Sequence, residues 1–356
     1  MSAPSASLLL RARLREGAVA EVEIVSPRVD PSPIFVGLSP AEAATLAGRL
    51  FSLCPAAQSL AAVTAGEAAL GVTTDDGRRR KRALTLLCER LGEMLRASLL
   101  DWPGDQPPPS ADVVRLRDAL KLLRAAPRKD AGPELVESLR DAARGLGLID
   151  AEGGGFLARQ LAEARAEQAE WEGPKHNPDH LGAADDPAVC EAMTRDAGFS
   201  RAPALPGRCA ETGAATRARC ADGGLAARLG ARLADMAATL DGIGRLLKGR
   251  EAPDDWLAAS SDQPGQGFAA IDSARGRLYH ALRLDGAGRI ADYRIVAPTE
   301  WNFHPDGPFV RALRGAKIGA GAAAVRRIER LAFVFDPCVR ATADIVDEGQ
   351  GDARHA

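Results

Sequence analysis

Arg49-Leu50-Phe51-Ser52-Leu53-Cys54-Pro55-Ala56-Ala57-Gln58-Ser59 sets a thiol directly before a proline. Proline disfavours helical geometry in the residue before it and suits the first position of a helix. The stretch therefore reads as the break between two helices, with Cys54 at the start of the second. The dipole of that helix favours a thiolate, so Cys54 is expected to ionise easily. Near the other end of the chain, Phe335-Asp336-Pro337-Cys338-Val339-Arg340-Ala341-Thr342-Ala343-Asp344 again places a cysteine beside a proline at a helix boundary. Either cysteine alone reads as a packed, inert thiol. What lies between them decides whether the pair means more.

Working outward, Ser39-Pro40-Ala41-Glu42 starts the helix before Cys54 with a capping box, and apolar spacing carries that helix to about Leu53. Residues 7–25 alternate on both sides of Glu16-Gly17 and predict a hairpin. Helical spacing recurs over 76–100, 111–126, 133–147 and 155–171, broken by the Pro-rich 102–109 and by Gly153-Gly154-Gly155. Residues 173–222 carry little periodicity and read as a flexible linker. A helix near 223–248 shows Leu225, Leu229, Leu233, Met236, Leu240, Ile243 and Leu247 at helical spacing. Gly276–Leu284, the turn Asp285-Gly286-Ala287-Gly288 and residues 289–296 form a second predicted hairpin. A last helix near 320–333 leads into Phe335. The reading is one domain over 1–356: N-terminal β-hairpin 1–35, helical part 36–172 with Cys54, linker 173–222, bundle helix 223–250, β-hairpin 262–300 and C-terminal part 301–356 with Cys338. The fold class is α+β, mostly helical, with a central bundle flanked by hairpins and the two cysteines converging on it.

Composition removes several function classes. Forty-six basic residues against 48 acidic ones leave no electrostatic footprint for nucleic acid or an anionic membrane. No apolar run approaches a membrane span, and Leu8-Leu9-Leu10 is too short for a signal-peptide core, so a cytoplasmic chain is expected. The six cysteines, Cys54, Cys88, Cys190, Cys209, Cys220 and Cys338, form no CxxC pair. That pattern disfavours a zinc ribbon or a ferredoxin-type cluster.

Three motifs carry a family resemblance. Arg49 to Ser59 resembles the N-terminal metal motif of nickel–iron hydrogenase large subunits, Arg-x-Cys-x-x-Cys followed by His. Phe335 to Asp344 resembles their C-terminal Asp-Pro-Cys-x-x-Cys-x-x-His. Ala274-Arg275-Gly276 with Leu278 and His280, then Pro298-Thr299-Glu300-Trp301-Asn302, resembles their Pro-Arg-Gly strand and Pro-Thr-Thr-Trp-Asn motif. The resemblance implies a reduced large-subunit fold. The departures bear on function. Phe51 and Ala341 stand where cysteines are expected, and Gln58 and Asp344 stand in place of the histidines. The Arg-Ile-Glu-Gly-His motif expected before the first strand is missing, with only Ser7 and leucines in its place. Two thiolates cannot rebuild a four-thiolate bimetallic site, because Phe51 and Ala341 offer nickel no lone pairs. An enzyme is therefore not expected, and neither is bound nickel.

The pattern is similar to the HupK/HoxV-type hydrogenase expression/formation proteins. That resemblance implies a scaffold that transiently holds iron with carbon monoxide and cyanide ligands. Cys54 and Cys338 would be the metal ligands, Arg275 would donate to cyanide nitrogens, and Asp336 would orient Arg275. By position, Cys54 matches a bridging cysteine and Cys338 a terminal nickel ligand. Three arrangements stay open: both on iron, Cys54 alone, or a partner's cysteine completing the site. The implied partners are maturation chaperones that carry the iron fragment, with the hydrogenase large-subunit precursor as a further candidate. Asp344 at the maturation position, before a short polar tail, implies no proteolytic processing. The competing reading is a metal-free degenerate homologue acting as a structural or regulatory interaction protein, and a residual redox enzyme is a third.

Other polar features have bland readings. Arg78-Arg79-Arg80-Lys81-Arg82 reads as a solvated helix face. Cys88 reads as core, His280 as strand packing and His304 as a loop residue near the cavity, with hydrogen bonding to the metal ligands as the alternative for either histidine. His176, His180, Cys190, Cys209 and Cys220 match no common zinc spacing.

Overall fold

The computed structural model describes residues 7–26, 28–128, 132–150, 154–169, 177–250, 256–261 and 263–347. His176 and residues 348–356 lie outside them. Two alternating segments, β1 (Leu8–Arg15) and β2 (Ala18–Val25), pair antiparallel around Glu16-Gly17. The last strand of the chain, β7 (Ala341–Asp347), is not expected from the sequence. It runs parallel to β1 on its other side, so the hairpin is the rim of a three-stranded sheet.

Helix α1 (Pro40–Leu50) begins with the capping box: Glu42 N donates to Ser39 Oγ, and Ser39 N donates to Glu42 Oε2. It stops three residues short of the expected Leu53. Helix α2 (Pro55–Ala69) follows, with Cys54 as its cap residue. Then come α3 (Asp76–Leu100), α4 (Ser110–Ala125), α5 (Pro133–Leu146) and α6 (Phe156–Ala169), close to their expected bounds. Asp75 caps α3 through Arg78 N at 2.8 Å.

The flexible linker expected over 173–222 is corrected by the structure. Its described part, 177–222, is folded, with α7 (Asp186–Arg195), α8 (Ala214–Arg217) and a buried set including Leu181, Val189, Met193, Phe199 and Leu205. Ion pairs hold it where periodicity does not: Arg208 with Asp179 and Asp185, Arg277 with Asp186, and Arg228 with Glu211. Helix α9 (Leu225–Leu247) then runs through the bundle against α3, α5 and α6.

The expected single hairpin of 262–300 is likewise larger. β3 (Leu257–Ser260), β4 (Gln266–Ser273), β5 (Gly276–Leu284) and β6 (Ile290–Val296) form a four-stranded antiparallel sheet in sequence order. Ala269, Ile271, Leu278 and Leu282 face the α1–α3 core, while Phe268, Ala270, Tyr279 and Val296 face the 177–222 segment. With both faces covered, β4 shows no alternation of polarity. Short helices α10 (Pro298–Asn302) and α11 (Pro308–Leu313) precede α12 (Gly321–Val334), which leads to Cys338. Among the described residues no helix is long and apolar enough to cross a membrane.

Candidate functional site

The α1–α2 break brings Cys54 to the bundle. Its neighbour in space is Arg275, at the turn between β4 and β5. Gly276 has φ +131°, and a Cβ there would fall 2.6 Å from Thr212 Oγ1, so only glycine lets the Arg275 turn seat against that segment. Thr212 Oγ1 accepts from Arg277 N at 2.8 Å. Thr212 is also locked from the other side by Asn302. Its N–H donates to Asn302 Oδ1 at 3.0 Å, and Asn302 Nδ2 donates to the carbonyls of Thr212 (2.9 Å) and Phe335 (3.0 Å). Thr299 Oγ1 accepts from Cys338 N at 3.1 Å. The Pro298–Asn302 helix thus ties the Arg275 turn to the Cys338 segment.

Arg275 is 4 % exposed. Its Nη2 donates to Glu93 Oε2 at 3.4 Å, and its Nε lies 3.8 Å from Asp336 Oδ1. Nε and Nη1 have no hydrogen-bond partner among the described residues. Asp336, with φ 51°, is in the left-handed region, where its short side chain turns inward. Its strong bond is to Arg232 Nη1 at 2.7 Å. Asp336 therefore faces both arginines: Arg232 grips it, and it is the leading charge acting on Arg275.

Cys54 and Cys338 are both half-buried residues, and both act electrostatically on Arg275. The expectation of an easily ionised Cys54 is overturned. Burial pushes its thiol up to about 12, with Arg275 pulling the other way and the charges at Glu89 and Cys338 adding to the rise. The helix dipole is not free to help. Glu89 accepts from Ala56 N (2.5 Å) and Ala57 N (2.9 Å), so a carboxylate already occupies the N-terminus of α2. Desolvation in turn raises Glu89 to about 7.

Gln58, one turn into α2, is buried. Its Nε2 lies 3.9 Å from Cys54 Sγ, and its Oε1 lies 2.8 Å from His280 Nε2. His280 is fully buried, its Nδ1 2.7 Å from the Tyr293 hydroxyl, and desolvation lowers it to about 3. His280 is thus both a buried strand residue and a hydrogen-bond partner of the Cys54 helix.

Four further residues escaped the sequence reading. Glu89 and Glu93 sit at i, i+4 on α3, and Arg228 and Arg232 at i, i+4 on α9 beside the apolar stripe. Charged pairs at the spacing of a buried stripe were the available signal. The other cysteines stay apart from this site. Cys88 is core, and Cys209 Sγ lies 3.6 Å from His304 Nδ1. His180 Nε2 meets the carbonyl of Cys220, not its thiol. Among the described residues no three His, Cys, Asp or Glu side chains gather as a metal site.

The sequence model of the nickel-dependent hydrogenase family matches residues 201–343. The chain superposes on the Ni-Fe-Se hydrogenase of D. vulgaris Hildenborough with TM-score 0.65 at 17 % identity, covering 91 % of this chain and 94 % of that one. The enzyme of Desulfomicrobium baculatum gives TM-score 0.66 at 15 % identity, covering 92 % and 95 %. The fold is that of a nickel-dependent hydrogenase large subunit, here with two cysteines where the motifs have four. Among curated proteins, the hydrogenase expression/formation protein HupK of Rhizobium leguminosarum bv. viciae is 42 % identical over 86 % of this chain and 87 % of its own length. The corresponding protein HoxV of Cupriavidus necator is 31 % identical over 89 % and 91 %. The chain belongs to this HupK/HoxV family of hydrogenase expression/formation proteins.

Proposed function

We propose that the chain serves hydrogenase formation as a non-catalytic scaffold, holding an iron–dicyanide–carbonyl fragment as cargo until it passes to the hydrogenase large subunit. The supporting observation is Arg275: a buried cation with two N–H-bearing atoms lacking partners among the described residues, placed beside two thiols. An unpaired buried donor costs about 1–3 kcal/mol, which acceptors bound beside Arg275 would recover. Cyanide nitrogens are such acceptors, and soft thiolates suit low-spin iron with strong-field ligands. Cys54 would bind iron, Cys338 would complete the site from the facing segment, and Arg275 would meet the cyanides. Glu93, Asp336 and Arg232 would hold Arg275 in place. The partners in this reading are chaperones delivering the fragment and the large-subunit precursor receiving it.

Infrared spectroscopy on protein purified anaerobically from a host with the maturation machinery tests the reading, beside Cys54→Ser and Cys338→Ser. Carbonyl and cyanide stretches in the wild type, lost in a serine variant, support it and identify the ligand. Stretches surviving both substitutions place the cargo on a co-purifying partner. Folded, partner-bound protein with no bands and no iron favours a metal-free interaction module.

A further inference from the structure

Gln58 and His280 meet in a region closed by the α1–α3 core on one side and the sheet on the other. An amide has one accepting end and one donating end. In this structure the donating Nε2 of Gln58 points at Cys54 Sγ and the accepting Oε1 at His280. An oxygen can only accept, so His280 Nε2 must carry the proton that binds it. A neutral imidazole then has a bare Nδ1, and the Tyr293 hydroxyl supplies its donor at 2.7 Å. Tyr293 is held in turn by stacking on Phe35, ring centroids 4.5 Å apart at 16°. Burial keeps His280 uncharged, which the arrangement requires, since an imidazolium would have two donors and no acceptor.

We propose that His280 is a positioning residue for Cys54: it locks the Gln58 amide so that its NH2 end, not its oxygen, faces the sulfur. Were the amide reversed, Gln58 Oε1 would confront Cys54 Sγ. An oxygen repels a metal-bound thiolate and accepts from a protonated thiol. The lock therefore favours the sulfur in its metal-binding form. An N–H donor also draws electron density from a bound thiolate and weakens its bond to iron, as suits a carrier that must release its cargo. The geometry stands on the protein alone; the consequence rests on the scaffold reading.

Two experiments separate the lock from that reading. The first uses the cargo-free full chain with 15N-labelled histidine. The His280 signals, identified by their loss in His280→Gln, are expected to show a neutral ring protonated at Nε2. A ring protonated at Nδ1, or at both nitrogens, overturns the lock whatever binds at Cys54. The second is infrared spectroscopy of cargo-loaded protein. Gln58→Leu and His280→Leu are expected to keep the bands but move the carbonyl stretch several wavenumbers lower, as the sulfur becomes a stronger donor. His280→Gln, which restores a side-chain N–H toward Gln58, is expected to return the stretch toward the wild-type position. Loaded wild type with unmoved bands in both leucine variants overturns the lock and leaves the scaffold standing. A wild type without bands overturns the scaffold, and the tautomer then decides the lock. If His280→Leu fails to fold, Gln58→Leu and the tautomer decide between the outcomes.

Discussion

At the residue scale, Cys54 shows two effects in competition and which one wins. Its place before the first turn of α2 should lower its pKa, and the Arg275 cation should lower it further. Desolvation outweighs both, and the Glu89 carboxylate takes the amides that would have carried the dipole's benefit. Cys54 is accordingly a protonated thiol beside a charged guanidinium. A rise from 9.0 to about 12 leaves less thiolate by up to about a thousandfold near neutral pH. Iodoacetamide at about pH 8 is therefore expected to label Cys54 up to about a thousandfold more slowly in native protein than in denaturant, read by peptide mapping. Equal rates in the two states would sink this account of the site. Proline beside cysteine gave the position of the thiol at a helix break. It could not give its ionisation, because the burial that raises the thiol comes from segments distant in the chain, and Glu89 comes from the next helix, α3.

At the element scale, α2 delivers Cys54 and Gln58 only because it lies very close to β4. Its contact face is built from small residues, with Ala57, Ala61, Ala62 and Ala65 all fully buried. Gly267 meets that face, and a Cβ there would fall inside the Ala65 carbonyl and 2.8 Å from Ala69 N. The neighbouring atoms are backbone and cannot turn aside. Gly267→Ala is expected to cost about 1–3 kcal/mol by overpacking and to lift the sheet from α2. Urea unfolding measures the loss, and a variant as stable as the wild type would show the contact to be slack. The longer helices, such as α3, α9 and α12, were legible in the sequence from an apolar stripe, and α1 from its capping box at Ser39; the short α7, α8, α10 and α11 were not. β4 was not, since a strand buried on both faces has no alternation to read. β7 was missed for another reason: its partner is β1, more than three hundred residues earlier, and nothing local announces the pairing. The 177–222 segment misled because ion pairs such as Arg228 with Glu211, both 2 % exposed, replace a periodic stripe.

At the scale of the whole molecule, the two perturbed groups flanking Cys54 make opposite contributions to stability against pH. His280 is lowered from 6.5 to about 3, so between those values the unfolded chain binds a proton that the folded chain refuses. Stability from this group is complete above 6.5 and is lost as pH falls toward 3. Glu89 is raised from 4.5 to about 7, so the folded chain holds a proton that the unfolded chain has released. Its contribution is complete below 4.5 and is lost as pH rises toward 7. From pH 4.5 to 6.5 the two slopes oppose each other, each about 1.4 kcal/mol per pH unit at most. The wild type should therefore change little in that window on their account. Single substitutions should expose each slope. Relative to wild type, His280→Gln is expected to gain about 2–3 kcal/mol as pH falls from 6.5 to 4.5. Over the same interval Glu89→Gln is expected to lose a similar amount, about 2–3 kcal/mol or less because Glu89 is only partly buried. Other buried carboxylates, such as Asp186 and Glu300, cancel in these differences. Any pH-independent offset from lost hydrogen bonds leaves the slopes untouched. Urea unfolding across the window reads both, and difference curves parallel to the pH axis would show that neither group is perturbed. Opposed slopes would mean that the region around Cys54 keeps its fold over the acid range where His280, alone, would have destabilised it.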